Sequence, residues 1–161
     1  MILVSVGTQL PFDRLVHAVD RWAAERGRSD VLAQIGAGRP PSRVRWVRSL
    51  PPAEFRAQLA NADLVVAHAG VGIALSALGA GKPLVIVPRR ALLGEHRNEH
   101  QVATARRLAG WPGLRVCDDA GDLAAALDRP PAAPPAGMLS CAAPEPLLAS
   151  VRQFIEMGVA A

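Results

Sequence analysis

Asp63-Leu64-Val65-Val66-Ala67-His68-Ala69-Gly70-Val71-Gly72, a small-residue stretch from Ile73 to Ala80, and Gly81-Lys82-Pro83-Leu84-Val85-Ile86-Val87 decide the fold class. The two apolar runs are too continuous for a strand with one wet face, so both belong to a sheet covered on both sides. Between them lies a segment of helical length that starts at glycines and stops at Gly81, with Pro83 opening the next strand. Strand, helix, strand in this order is a βαβ unit, and its two strands must lie parallel.

The same alternation extends in both directions. Ile2 to Val6 is a buried-type strand ending at Gly7, and Pro11 starts a helix carried by Phe12, Leu15, Val16, Val19, Trp22 and Ala23 as far as Gly27. Val31 to Ile35 and Val44 to Val47 read as the next strands, and Pro51 to Ala62 as the next helix. Downstream, a polar loop from Pro88 to Glu99 leads into a helix ending near Gly110, a strand at Leu114 to Cys117 and a helix from Ala120 to Leu127. The expectation is an α/β, Rossmann-like, doubly wound parallel sheet over residues 1–129. A Pro/Ala-rich linker, 130–146, and a C-terminal amphipathic helix, 147–161 with its stripe at Leu147 to Met157, are expected to follow.

Bulk properties narrow the partners. At 161 residues, half of them hydrophobic, the chain has the size of one globular domain and is too small for two nucleotide-binding lobes. No apolar run reaches the roughly 20 residues of a membrane span, and Met1 to Val6 is too short for a signal peptide. Cys117 and Cys141 have no metal-ligand spacing and read as reduced thiols. The formal charge of +4 comes almost entirely from arginine, Lys82 being the sole lysine. Such a surface favours anionic partners. Nucleic acid is disfavoured, because aromatic residues are 4% of the chain and give few stacking platforms.

In a parallel sheet, ligands bind beyond the carboxyl ends of the strands, where helix N-termini offer free N–H groups. Gly7-Thr8-Gln9 ends the first strand. His68-Ala69-Gly70-Val71-Gly72 opens a helix with glycines that let a diphosphate approach the backbone. It is neither the dinucleotide fingerprint nor a Walker loop, and Gly81-Lys82-Pro83 reads as helix stop and strand entry with Lys82 at the surface. Gly94-Glu95-His96-Arg97-Asn98-Glu99-His100-Gln101 packs seven hydrogen-bonding side chains behind one glycine, a mix suited to sugar and ribose hydroxyls. His96 and His100 stand at i, i+4, but no third ligand is placed, so no metal site is expected. His17 is read as an exposed residue of the first helix.

These loops, in this order, resemble glycosyltransferase family 28. The markers are Val4-Ser5-Val6-Gly7-Thr8, Pro11-Phe12-Asp13-Arg14-Leu15, Gln34-Ile35-Gly36, His68 to Gly72, Gly81 to Arg89 and Gly94 to Gln101, spanning Met1 to Leu108. The resemblance is to the short bacterial members that work with a second subunit in polysaccharide assembly. It extends to the catalytic subunit of the two-subunit dolichol-linked transferase and to the C-terminal lobe of the peptidoglycan enzyme.

It implies one donor-binding lobe of a GT-B enzyme, a hexosyltransferase catalytic subunit that transfers a sugar from a UDP-sugar with inversion to a lipid-linked or polysaccharide acceptor. No cofactor and no obligatory metal are implied. Gly7, Thr8, Gly70 and Gly72 would line the donor diphosphate, His68 and Arg89 would also bind the donor, and His100 and Gln101 would hold its sugar and ribose, with Glu95, His96 and Asn98 completing that wall. His96 or Glu95 would be the catalytic base unless an acceptor-binding, membrane-associated partner supplies it. That partner would hold the chain at the cytoplasmic face of the cell membrane. Two departures stand out: Ile73 where the family has Ser or Thr, and Ser76 where the peptidoglycan enzyme has a ribose-binding glutamate. The first keeps open a non-catalytic nucleotide-sugar-binding or scaffold role.

Overall fold

The structure is a computed structural model that describes residues 1–137 together with Leu139 and Ala149. Six strands form one parallel sheet: β1 (Ile2–Ser5), β2 (Val31–Gln34), β3 (Arg45–Val47), β4 (Leu64–His68), β5 (Leu84–Val87) and β6 (Leu114–Val116). Their spatial order is β3-β2-β1-β4-β5-β6. The chain therefore winds outward from β1 to β3 and then returns to the other side of β1 with β4. This puts a topological switch point, where loops diverge and leave a crevice, between β1 and β4. The register sets Ser5 opposite Ala67 at that point.

Helices α1 (Asp13–Glu25) and α5 (Ala120–Asp128) cover one face of the sheet. The other is covered by α2 (Pro52–Asn61), α3 (Val71–Gly79) and α4 (His100–Leu108). Val4 and Val6 pack with Leu15, Val16 and Trp22, whereas Leu3 and Val65 pack with Ala74, Ala77 and Leu78. Burial on both faces is why the strands read as unbroken apolar runs. Trp22 donates from Nε1 to Asp128 Oδ1 at 2.8 Å, fastening α5 to α1.

Asp20 is buried on α1, and its carboxylate accepts from the amides of Ser42, Arg43 and Val44 at 2.8 to 3.0 Å. Burial alone would raise its pKa, but the three N–H groups outweigh that and hold it below the usual value.

Ten of the expected elements, from the first strand to α5, form within a few residues of their sequence bounds. An eleventh, β3, is shortened to Arg45–Val47. A short 3-10 turn, Ala91–Leu93, stands inside what reads as plain loop. Gly94 ends that turn at φ +69°, a conformation that only glycine adopts without strain. His17 is half-buried, not exposed. Lys82, in the turn that follows Gly81, donates to the Ala60 carbonyl at 2.6 Å. In the linker, residues 130–137 carry no helix or strand, yet Pro134 is buried against Gly113. The helix expected at 147–161 falls outside the described residues, apart from Ala149.

Candidate functional site

A cleft of about 1090 Å³ opens at the carboxyl ends of β1 and β4, at the switch point. Three of the segments that wall it carry most of the expected site residues, and the stretch from Ser49 to Phe55 closes another side. Gly7 to Leu10 follows β1, Gly70 to Ile73 follows β4, and His96 to Gln101 leads into α4.

The β4 loop works by lacking side chains. Gly70 occupies the N-cap position of α3 without any side-chain cap. No group of the described residues accepts from the amides of Val71, Gly72 and Ile73. Three free N–H groups and the positive end of the α3 dipole are thus presented to an anion. The His68 ring lies between the two glycine loops. A Cβ on Gly7 would stand 2.7 Å from His68 Cε1, and one on Gly70 would collide with Nε2. Both glycines are required by the same imidazole. Gly7 also has φ +77°, so any other residue there is strained twice. Burial, assisted by the positive charge of Arg89 and by His96, pushes the His68 pKa below its ordinary value against an opposing Ser5 backbone contact. The ring is therefore neutral near pH 7.

Gln34 fixes the β1 loop. Its Nε2 donates to the Gly7 carbonyl at 2.9 Å, and its Oε1 accepts from Ser5 Oγ at 3.0 Å. This explains the Gln34-Ile35-Gly36 marker: the glutamine shapes the loop that meets the ligand.

The third wall works by its side chains, and two arginines hold it. Arg89 is 2% exposed, and its guanidinium donates to the carbonyls of Val6 at 2.8 Å, Leu10, Pro11 and Glu95. It also lies 4.6 Å from the Phe12 ring centre. Arg14 reaches from α1 to both oxygens of Glu95, at 2.7 and 2.9 Å, and to the Pro88 carbonyl. The β1 and β5 loops are thus clamped into one body.

Two expected roles change as a result. Arg89, expected to bind the donor, borders the cleft but has its guanidinium enclosed among loop carbonyls, where it positions the loops. Glu95, a candidate base, does not line the cleft; Arg14 and the Arg90 amide hold its carboxylate.

His96 and His100 pack edge to face, 4.4 Å between ring centres. Asn98 Oδ1 accepts from both the backbone amide and Nδ1 of His100. His100 therefore carries its proton on Nδ1 and turns a lone pair at Nε2 outward. His96 is the reverse: its Nδ1 accepts from the Asn98 amide at 3.4 Å, leaving Nε2–H as a donor. Gln101 is 5% exposed and its Oε1 accepts from the Arg89 amide at 3.1 Å. Ser76 Oγ donates to its own helix, at the Gly72 carbonyl 2.8 Å away, and Ile73 lines the cleft with an apolar side chain.

Gly7, Thr8, His68, Gly70, Gly72, Arg89, His96, Asn98, His100 and Gln101 all border this one cleft. Gln34 and Arg97 border it too, and neither stood among the expected site residues. Both had a signal in the sequence: Gln34 is an amide at a buried-strand position, and Arg97 stands inside the polar stretch from Gly94 to Gln101. Among the described residues no group of three or more His, Cys, Asp or Glu is arranged to hold a metal ion.

The family model "Glycosyltransferase family 28 C-terminal domain" matches residues 1–133. The chain belongs to this family. A UDP-N-acetylglucosamine transferase subunit, ALG13, of Eremothecium gossypii is 32% identical over 166 residues, covering 80% of each chain. The human protein of that name is 31% identical over 127 residues, which are 72% of this chain and 11% of the human one. Among solved structures, the glycotransferase of kitacinnamycin superposes with a TM-score of 0.61 at 25% identity, over 79% of this chain and 33% of its own. The solution structure of ALG13 superposes at 0.56 over 83% of this chain and 87% of its own; at 19% identity it speaks to fold alone. The molecule is thus a GT-B-type glycosyltransferase lobe built on the six-stranded sheet described above.

Proposed function

We propose that the chain is the donor-binding, catalytic subunit of an inverting hexosyltransferase that takes its sugar from UDP. The observation that carries this reading is the cleft at the β1–β4 switch point, where free α3 amides face the side-chain wall of α4. The diphosphate would rest on the amides of Thr8 and of Val71 to Ile73, where backbone dipoles stabilise the charge that grows on departing UDP. No metal is needed for that step in this reading. The sugar would extend toward Asn98, His100 and Gln101.

The acceptor hydroxyl attacks the anomeric carbon, UDP leaves, and a base takes the hydroxyl proton. Glu95 is held by Arg14, and His96 presents N–H, so neither suits the base. We assign the base to an acceptor-binding partner, in keeping with relatives whose names call them subunits. A lipid-linked or glycan acceptor would reach the cleft from that partner, at the cytoplasmic face of a membrane. Among the described residues no helix is long and apolar enough to cross one. Ile73, apolar inside the cleft, favours the second reading, a subunit that binds nucleotide-sugar without catalysing transfer.

Calorimetric titration with UDP and ADP, without metal, tests the assignment. Selective UDP binding is the expected result, and equal binding of both nucleotides would remove it. Sugar transfer by the chain mixed with its partner, lost on Gly70→Val, would separate the catalytic role from the scaffold role.

A further inference from the structure

The wall of the cleft formed by residues 96–101 has an unusual hydrogen-bonding character. Neutral sugars present hydroxyls that need acceptors as well as donors, and carboxylate side chains are the strongest acceptors a protein has. Among the described residues lining the cleft there is no aspartate and no glutamate. Glu95 and Glu99, the acidic residues of the loop, are turned to internal work. Arg14 and the Arg90 amide hold the first, and Glu99 Oε1 accepts from the Ala91 amide at 2.7 Å.

The neutral acceptors are largely engaged as well. Asn98 Oδ1 accepts twice from His100, and Gln101 Oε1 accepts from Arg89. Both amides are left with their NH₂ groups. His96 presents Nε2–H because its Nδ1 accepts. Arg97 is exposed at the cleft, and no described residue engages its guanidinium in a hydrogen bond or ion pair. Among the cleft-lining side chains of this wall, the lone pairs left open are that of His100 Nε2 and the second one of the nearly buried Gln101 Oε1. The wall is dominated by donors and carries one free positive charge, on Arg97.

Resting on the donor-lobe reading above, we propose that this wall selects an anionic sugar, a hexuronate, whose carboxylate is held by Arg97 with His96 and Asn98. The donor is then a UDP-linked uronic acid. A carboxylate accepts at four lone-pair sites and gives no proton, which complements a wall of N–H groups. A 6-hydroxymethyl group in the same place would bring an O–H to a wall with no cleft-lining carboxylate to receive it.

UDP-glucuronate and UDP-glucose differ only at that carbon and make the test. The full chain is titrated calorimetrically at low salt with UDP, UDP-glucuronate, UDP-glucose and UDP-N-acetylglucosamine. UDP-glucuronate is expected to bind at least tenfold more tightly than either neutral sugar nucleotide, an advantage that shrinks as salt is raised. Arg97→Gln is expected to reduce UDP-glucuronate to the affinity of UDP-glucose. Asn98→Asp, which adds a negative charge to the wall, should weaken the uronate more than the neutral sugar. UDP binding with no preference, or with a preference for a neutral sugar, overturns the uronate assignment and leaves the donor lobe standing. A preference that survives Arg97→Gln overturns the role of this wall. Failure of UDP itself to bind overturns the donor-lobe reading and this inference with it.

Discussion

The β4–α3 loop and the β5–α4 loop border the same cleft and are built on opposite principles. The first is defined by what is missing: Gly70 and Gly72 have no side chains, the helix start has no cap, and three amides remain free. The second is defined by crowding, with every carboxylate and side-chain amide in it already engaged through at least one oxygen by Arg14, Arg89, Arg90, Ala91 or His100. A site for an anion can be made by removing atoms from a helix N-terminus. A site that discriminates among sugars needs positioned side chains, and those need supports of their own.

The largest effect should come from violating the empty loop. Gly70→Val places a branched side chain where even a Cβ meets His68 Nε2, and is expected to reduce UDP-dependent transfer by about 1000-fold, or about 4 kcal/mol. Circular dichroism should still report a folded sheet, because Gly70 packs against no core helix. Unchanged turnover would remove the loop from the site.

The crowded loop should fail differently, through stability. Arg89→Met leaves four carbonyls without their donor and is expected to cost about 3 kcal/mol of unfolding free energy in a urea titration. UDP affinity should drop along with it, since the Gly7 loop loses its tether. A variant as stable as the parent would show that the clamp is dispensable.

Glu95→Gln separates support from chemistry. With Arg14 retained and one charge lost, a loss of about 1 kcal/mol in stability is expected, with transfer kept within about threefold. Turnover slowed by about two orders of magnitude at unchanged stability would instead restore Glu95 as the base.

The smallest expected effect is the pH dependence of His68. Its folded pKa lies below its unfolded one, so between the two values the unfolded chain binds more protons. The His68 contribution to stability is therefore complete above about pH 6.5 and declines as pH falls below that value. Urea titrations at pH 7.5 and 5.5 should show a smaller difference for His68→Gln than for the parent, and an identical difference would place the titration elsewhere.

Much of this architecture was legible in the residues. Continuous apolar runs such as Leu64 to Ala67 and Leu84 to Val87 cannot be half-wet, and Gly81-Lys82-Pro83 marks where one helix stops. The 3-10 turn at Ala91–Leu93 was not legible, because three residues are too few to show a period. The individual roles in the 94–101 loop were hidden for another reason. A glutamate that receives an arginine from 81 positions away looks the same in sequence as one that faces a substrate. Asp20, buried beneath the Ser42 to Val44 amides, is hidden in the same way.

The sequence alone determined the parallel sheet, the positions of the glycine loops and the family, because hydrophobic period and backbone permissiveness are local properties. Tertiary structure alone decided that β4 returns beside β1, so that two distant glycine loops share one imidazole. It also decided which polar groups of the third wall face the ligand and which face the protein. That choice depends on partners far apart in the chain, and hydrogen-bond partners are fixed only once the sheet has brought them together.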